Sequence, residues 1–250
     1  MCILVILRDR VEGWPLVVGA NRDEYRDRPW TPARVEDGIL APRDERAGGT
    51  WIGLNRHGVL VAVTNRPDET PDPSLPSRGL LCLELLGFEE VGPALACLET
   101  TLLAAPRNPF RALIASEREA HLVTHPGFDG RVQSVQEIPP GLHTVTNLRA
   151  LDDLDHGGAL DVLDDPDGAT LDEMLAKLRS VLALHEDRGP GGRDTICKHE
   201  KDRGTLSSTI VALPARDRVP PVFLMAPGPP CEAAWGDHGG ELGGREGRPT

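Results

Sequence analysis

The sequence predicts an α+β fold of four layers. Strand-length apolar runs crowd the first third of the chain and return after residue 110, while helical spacing is confined to two stretches. The resulting order of strands, helices, strands, helix and strands does not alternate as βαβ units would, which disfavours a doubly wound parallel sheet.

The first runs are Ile3 to Leu7, Leu16 to Ala20, Thr50 to Leu54 and Gly58 to Thr64, separated by turn-rich stretches. Asn55-Arg56-His57-Gly58 reads as a hairpin loop because Asn and Gly tolerate positive φ. From Arg78 to Ala105 the leucine spacing becomes helical, and Gly87 with Gly92-Pro93 divides the stretch into two helices. Strands are expected again at Phe110 to Ala115, His121 to Thr124, Arg131 to Ile138 and Leu142 to Thr146, with Pro139-Pro140-Gly141 turning between the last two. A third helix is expected from Thr170, an N-cap with Glu173 at the position of a capping box, through Leu182. Strands at Ser208 to Leu213 and Pro221 to Met225 complete the pattern. Residues 187–201 read as a long loop and 228–250, with repeated Gly and Pro, as a disordered tail, so one domain is expected over residues 1–227.

Composition narrows the function classes. No run approaches the roughly 18 apolar residues of a membrane span, so none is expected. A net charge of −12 repels phosphate backbones, and no Lys/Arg cluster offsets it, which argues against nucleic acid as a partner. The opening apolar run lacks a basic flank and a cleavage site and ends at Arg8-Asp9-Arg10, so a cytoplasmic protein is expected. Lysine occurs only at Lys177, Lys198 and Lys201 against abundant arginine, a bias expected of a GC-rich bacterial genome. The five cysteines lack paired spacing, and Cys197-Lys198-His199 alone is a poor metal signal, so reduced thiols and no metal site are expected.

Cys2 is the first candidate for chemistry. Removal of Met1 would leave one residue carrying both a thiol and an α-amine, and an α-amine titrates near ~7.7 to 8.0, low enough to accept the thiol proton. The second candidate is the run Gly19-Ala20-Asn21-Arg22-Asp23-Glu24, followed by Gly48-Gly49-Thr50-Trp51-Ile52-Gly53, Val63-Thr64-Asn65, Gly141 to Asn147 and Gly204 to Thr209. With Met1-Cys2-Ile3 ahead of them, these blocks resemble, in order, the NRDE family, also called the transport and Golgi organisation protein 2 family.

That family is similar to the cysteine branch of the N-terminal-nucleophile hydrolases, which includes penicillin V acylase and bile-salt hydrolase. The resemblance implies a four-layer αββα sandwich and hydrolysis of the C–N bond of a small acyl amide. It further implies Cys2 as nucleophile, Asp23 holding the α-amine, and Asn65 and Asn147 binding the oxyanion. Asn65 and Asn147 each end a β-branched run, a rigid place from which an amide can donate to developing charge. Alternation along a strand from Leu16 sets Asn21 and Asp23 on one face and Arg22 on the other, away from Cys2. Asn21, Arg22 and Trp51 are the candidate substrate-binding set, Trp51 being expected to pack behind a Gly48-Gly49 turn. Ala20 and Leu206 stand where the acylase branch and most of the family, respectively, carry arginine. The family is also linked to haem handling and to lipid or acyl-CoA homeostasis. The alternative it implies is therefore a non-catalytic carrier of haem or an acyl lipid, with Cys2, His57 or His143 as axial ligands and no obligatory cofactor. Nothing in the sequence sets the oligomeric state.

Overall fold

A computed structural model describes residues 2–66, 70–127, 131–152, 160–164, 169–185, 196–215 and 219–243. The chain divides into two compact units where one domain is expected: Met1–Arg28 with Pro140–Arg216 and Pro221–Asp237, and Pro29–Pro139 with Asp217–Pro220 and His238–Thr250.

The first unit holds an antiparallel sheet of six strands. They are β1 (Ile3–Val11), β2 (Trp14–Tyr25), β10 (Gly141–Thr146), β11 (Arg203–Leu213), β12 (Val222–Ala226) and β13 (Gly236–Asp237), in the order β10-β1-β2-β11-β12-β13. The helix α3 (Leu171–Leu182) lies on one face. Its start is the expected capping box: the Thr170 hydroxyl accepts from the Glu173 N–H, and the Glu173 carboxylate accepts from the Thr170 N–H at 2.9 Å. Its apolar stripe, Met174, Leu175, Leu178, Val181 and Leu182, meets Ile3, Val5, Leu7, Val17, Ile210 and Ala212 from the sheet. Gly19 sits beneath that stripe. A Cβ there would stand 3.2 Å from methyl carbons of both Leu178 and Leu182, so its bare backbone lets the helix approach closely.

The second unit holds an antiparallel meander of seven strands in chain order: β3 (Trp30–Glu36), β4 (Ile39–Asp44), β5 (Ile52–Asn55), β6 (Leu60–Asn65), β7 (Phe110–Ala115), β8 (Ala120–His125) and β9 (Ser134–Glu137). Helices α1 (Arg78–Leu85) and α2 (Val91–Ala104) pack Leu81, Leu85, Ala94 and Leu98 against Val61, Val63, Ala112 and Ile114 of the sheet. The Asn55 side chain accepts from the His57 and Val59 N–H groups, closing the expected hairpin loop.

Three expectations are corrected. The β3–β4 hairpin is not anticipated, because Pro32 interrupts an otherwise short run. The structure accommodates that proline on a sheet edge, where the register shifts between Thr31 and Arg34. The expected tail is structured through residue 243: β13 pairs with β12, and Gly239–Leu242 forms a 3-10 turn. Finally, Pro139-Pro140-Gly141 does not close a hairpin, since β9 and β10 belong to different sheets. Of the expected loop at 187–201, residues 187–195 lie outside the described residues. Among the described residues no helix is long and apolar enough to cross a membrane.

The α1 thiol of Cys82 is fully buried and donates to the Val61 carbonyl at 3.7 Å. Burial pushes its pKa far up. Because the folded value is raised, the thiol's contribution is intact below the unfolded value of about 8.5 and is lost as pH rises above it, by up to ~1.4 kcal/mol per pH unit. Denaturant unfolding followed from about pH 8 to 10 is therefore expected to show declining stability, with a shallower decline in Cys82→Ala. Equal slopes would refute this assignment.

Candidate active site

The site is built where the strands β10, β1, β2 and β11 lie side by side. Ile3 pairs with Asn21 of β2 and with Thr146 of β10, so one step nearer the N-terminus Cys2 stands between Arg22 and Asn147. The Asn147 N–H donates to the Cys2 carbonyl at 3.3 Å, which fixes that register. On β11, Ser207 pairs with Arg22 and Ser208 with Asn21. Side chains alternate across a sheet, and Asn21 and Ser208 point to the face carrying α3. Asn147, Cys2, Arg22 and Ser207 therefore form a row on the opposite face.

This corrects the expectation that Arg22 is directed away from Cys2. Alternation along β2 does separate Arg22 from Asn21, but the antiparallel register places Cys2 on the same side as Arg22. Arg22 is only 5% exposed. Burial pushes the Cys2 thiol up, the neighbouring Asp23 charge adds to the rise, and Arg22 opposes it. Arg22 is thus a buried cation on the same face as Cys2, and the thiol's pKa remains raised overall. Arg22→Gln is expected to move Cys2 alkylation, followed peptide by peptide across pH, to higher pH; an unmoved profile would separate the two residues.

Asp23 is 6% exposed and takes a 2.7 Å hydrogen bond from the Thr205 hydroxyl. Its backbone carbonyl lies 4.0 Å from the Cys2 sulfur. Burial raises the carboxyl's pKa, and the Thr205 bond works against that rise. The two residues meet because the β2–β11 register shifts between Thr205 and Ser207, a bulge that sets Thr205 opposite Asp23 and leaves Leu206 as the extra residue. Asn21 has a different duty. At 2% exposure its amide donates to the Leu182 and Ile196 carbonyls, both at 2.9 Å, and its carbonyl accepts from Ser208 at 2.7 Å. Both amide hydrogens are engaged within the protein, and neither is left for a ligand.

The structure therefore gathers Cys2, Arg22, Asp23 and Asn147, together with Thr205 and Ser207, to which the sequence assigns no role. The Gly204 to Thr209 block was the available signal for them. Asn65 ends β6 in the second unit, paired with Phe110, and is exposed. Trp51, in the same unit, is half-buried and meets Trp30 edge-on at 5.7 Å. His143 is held by Asp152 at 2.7 Å on β10.

Residues 1–157 match the family described as Transport and Golgi organisation 2. The chain belongs to this family. Curated relatives carry the same description. A Transport and Golgi organization 2 homolog of Mus musculus is 32% identical over 97 residues, 34% of this chain and 35% of that protein. The match thus spans about a third of the mouse relative's length. A homolog of Bos taurus is 23% identical over 266 residues, covering 88% of this chain and 91% of its own. Among solved structures, this family member is similar to a mutant conjugated bile acid hydrolase from Clostridium perfringens, at TM-score 0.53 and 12% identity over 95% of this chain and 96% of that one. It is also similar to a Caenorhabditis elegans N-acylethanolamine-hydrolyzing acid amidase ortholog, at TM-score 0.52 and 12% identity over 84% of this chain and 92% of that one. These likenesses establish the fold as the α+β sandwich of the N-terminal-nucleophile hydrolase type. In this member of the Transport and Golgi organisation 2 family, the Asn21 to Glu24 run is the last part of β2, alongside Cys2.

Proposed function

We propose that the protein, after loss of Met1, hydrolyses the C–N bond of a small acyl amide with Cys2 as nucleophile. The observation that carries this reading is the position of Cys2 at the head of a central strand, with Arg22 opposite it and Asp23 behind it. The names of the bile acid hydrolase and of the acid amidase supply the reaction class. The α-amine of Cys2 takes the thiol proton, and the thiolate sulfur bonds to the amide carbon. Negative charge gathers on the carbonyl oxygen, where the amide of Asn147 is assigned as a donor. As the C–N bond breaks, the ammonium returns its proton to the leaving amine. Water then adds to the thioester, assisted by the amine, releasing the acid and regenerating the thiol. Asp23 orients the amine, and Thr205 holds Asp23.

The test is an acid quench of the mature protein with N-acyl amides of graded chain length, read by intact and peptide mass. A thioester adduct on the Cys2 peptide, formed and lost in step with amine release, is the expected result. Retained ligand with neither adduct nor amine release would overturn the hydrolase reading in favour of an acyl-lipid carrier.

A further inference from the structure

The sequence spacing offers no metal site, yet the fold brings four soft ligands to one point. His185 follows α3, Cys197 and His199 lead into β11, and Cys231 lies in the turn after β12. One ligand atom from each lies within 4.8 Å of every other. The Cys197 and Cys231 sulfurs are 3.7 Å apart, and Nε2 of His199 stands 3.6 Å from the first and 3.2 Å from the second. The rings of His185 and His199 are 5.0 Å apart between centres.

We infer that His185, Cys197, His199 and Cys231 form a structural zinc site. A tetrahedral zinc with Zn–S near 2.3 Å and Zn–N near 2.0 Å requires edges of about 3.8 Å between sulfurs and about 3.5 Å between sulfur and nitrogen, and the observed separations lie close to these. The 3.7 Å between sulfurs is far beyond a disulfide bond of about 2.05 Å, and both cysteines are free thiols. Two thiolates and two imidazoles suit zinc among the common divalent ions. Binding releases the two thiol protons, so Zn²⁺ and two thiolates leave the centre neutral. Four protein ligands complete the coordination, and the metal's role is structural.

The surrounding backbone already holds the ligands in place. The Cys197 N–H donates to the Leu184 carbonyl at 2.8 Å, and His199 forms a β-bridge with Gly204. Pro229 accepts from the Glu232 and Ala233 N–H groups, forming the turn that presents Cys231. Nδ1 of His199 faces the Glu232 carboxylate at 3.7 Å, leaving Nε2 to the sulfurs, the arrangement in which an outer carboxylate orients a ligating imidazole. The Asn21 amide fastens the carbonyls of Leu182 and Ile196, three residues before His185 and one before Cys197. The next residue, Lys198, donates its N–H to the Thr205 hydroxyl, which itself donates to Asp23. A metal at this centre would therefore steady the carboxylate beside Cys2.

The experiment uses the full chain without a histidine tag. Chelator-treated protein is titrated with zinc and, separately, with cobalt(II). One zinc per chain, tetrahedral cobalt d–d bands and thiolate-to-cobalt charge transfer are expected. Cys231→Ser, a change at an exposed residue, is expected to remove much of the charge transfer and weaken zinc binding by more than the roughly 10–100-fold cost of outer-ligand changes. Cys97→Ser, in the other unit, is expected to behave as the parent. Absence of stoichiometric zinc binding, an octahedral cobalt spectrum, or a Cys197 to Cys231 disulfide in protein purified under reducing conditions would each overturn the assignment.

Discussion

Asn21→Ala is expected to lower the unfolding free energy by about 3 to 5 kcal/mol. Two buried carbonyls, of Leu182 and Ile196, lose their bond from Asn21 at once, and the Ser208 hydroxyl loses its shorter bond and keeps only the one to the Ala20 carbonyl at 3.2 Å. Each buried polar group left without a partner costs roughly 1–3 kcal/mol, and water cannot fill the gap readily beside the closely packed α3 face. Against a typical stability of about 5–15 kcal/mol this is a severe loss, corresponding to a fall in melting temperature of roughly 10 °C for a chain of this size. Calorimetry or denaturant unfolding reads it directly. A change of only a degree would mean that the amide network carries little of the load.

Cys2→Ala should leave stability nearly unchanged and abolish turnover. Cys2 is half-buried at the start of its strand, so truncation removes one sulfur and little packing. On the hydrolase reading the same change removes the only atom that forms the acyl bond, and a fall of roughly 10⁴-fold or more in kcat is expected. Measuring the melting temperature with the rate separates chemistry from folding. Amine release that persists in this variant at the parental rate would sink the nucleophile assignment.

Local signals made some of the molecule readable in advance. The third helix was legible because Thr170 and Glu173 form a cap between near neighbours, and β1, β5, β6 and β7 because their apolar runs have strand length. The β3–β4 hairpin carried a signal that Pro32 obscured: Asp37 and Gly38 both take positive φ, 51° and 76°, the two-residue turn that an Asp-Gly pair favours. The placement of Cys2 and Asp23 could be anticipated by resemblance, but the position of Arg22 could not. Alternation is a property of one strand, whereas the meeting of Arg22 with Cys2 depends on register between two. The four soft ligands escape notice for the same reason. Their sequence intervals match no familiar pattern, and they become neighbours only because the end of α3, the lead into β11 and the turn after β12 meet in the folded unit. The stretch after residue 228 looks like tail by composition, and within it β13 gains its structure from pairing with β12.

The pairing of β1 has a bearing on the life of the newly made chain. One neighbour, β2, follows it at once, but the other, β10, leaves the ribosome only after all seven strands of the second sheet have been made, and β2 must then wait for β11. Such long-range pairing is slow to form. Cys2 thus spends most of synthesis outside any finished sheet, and the loss of Met1 that the proposed hydrolysis requires falls within that interval.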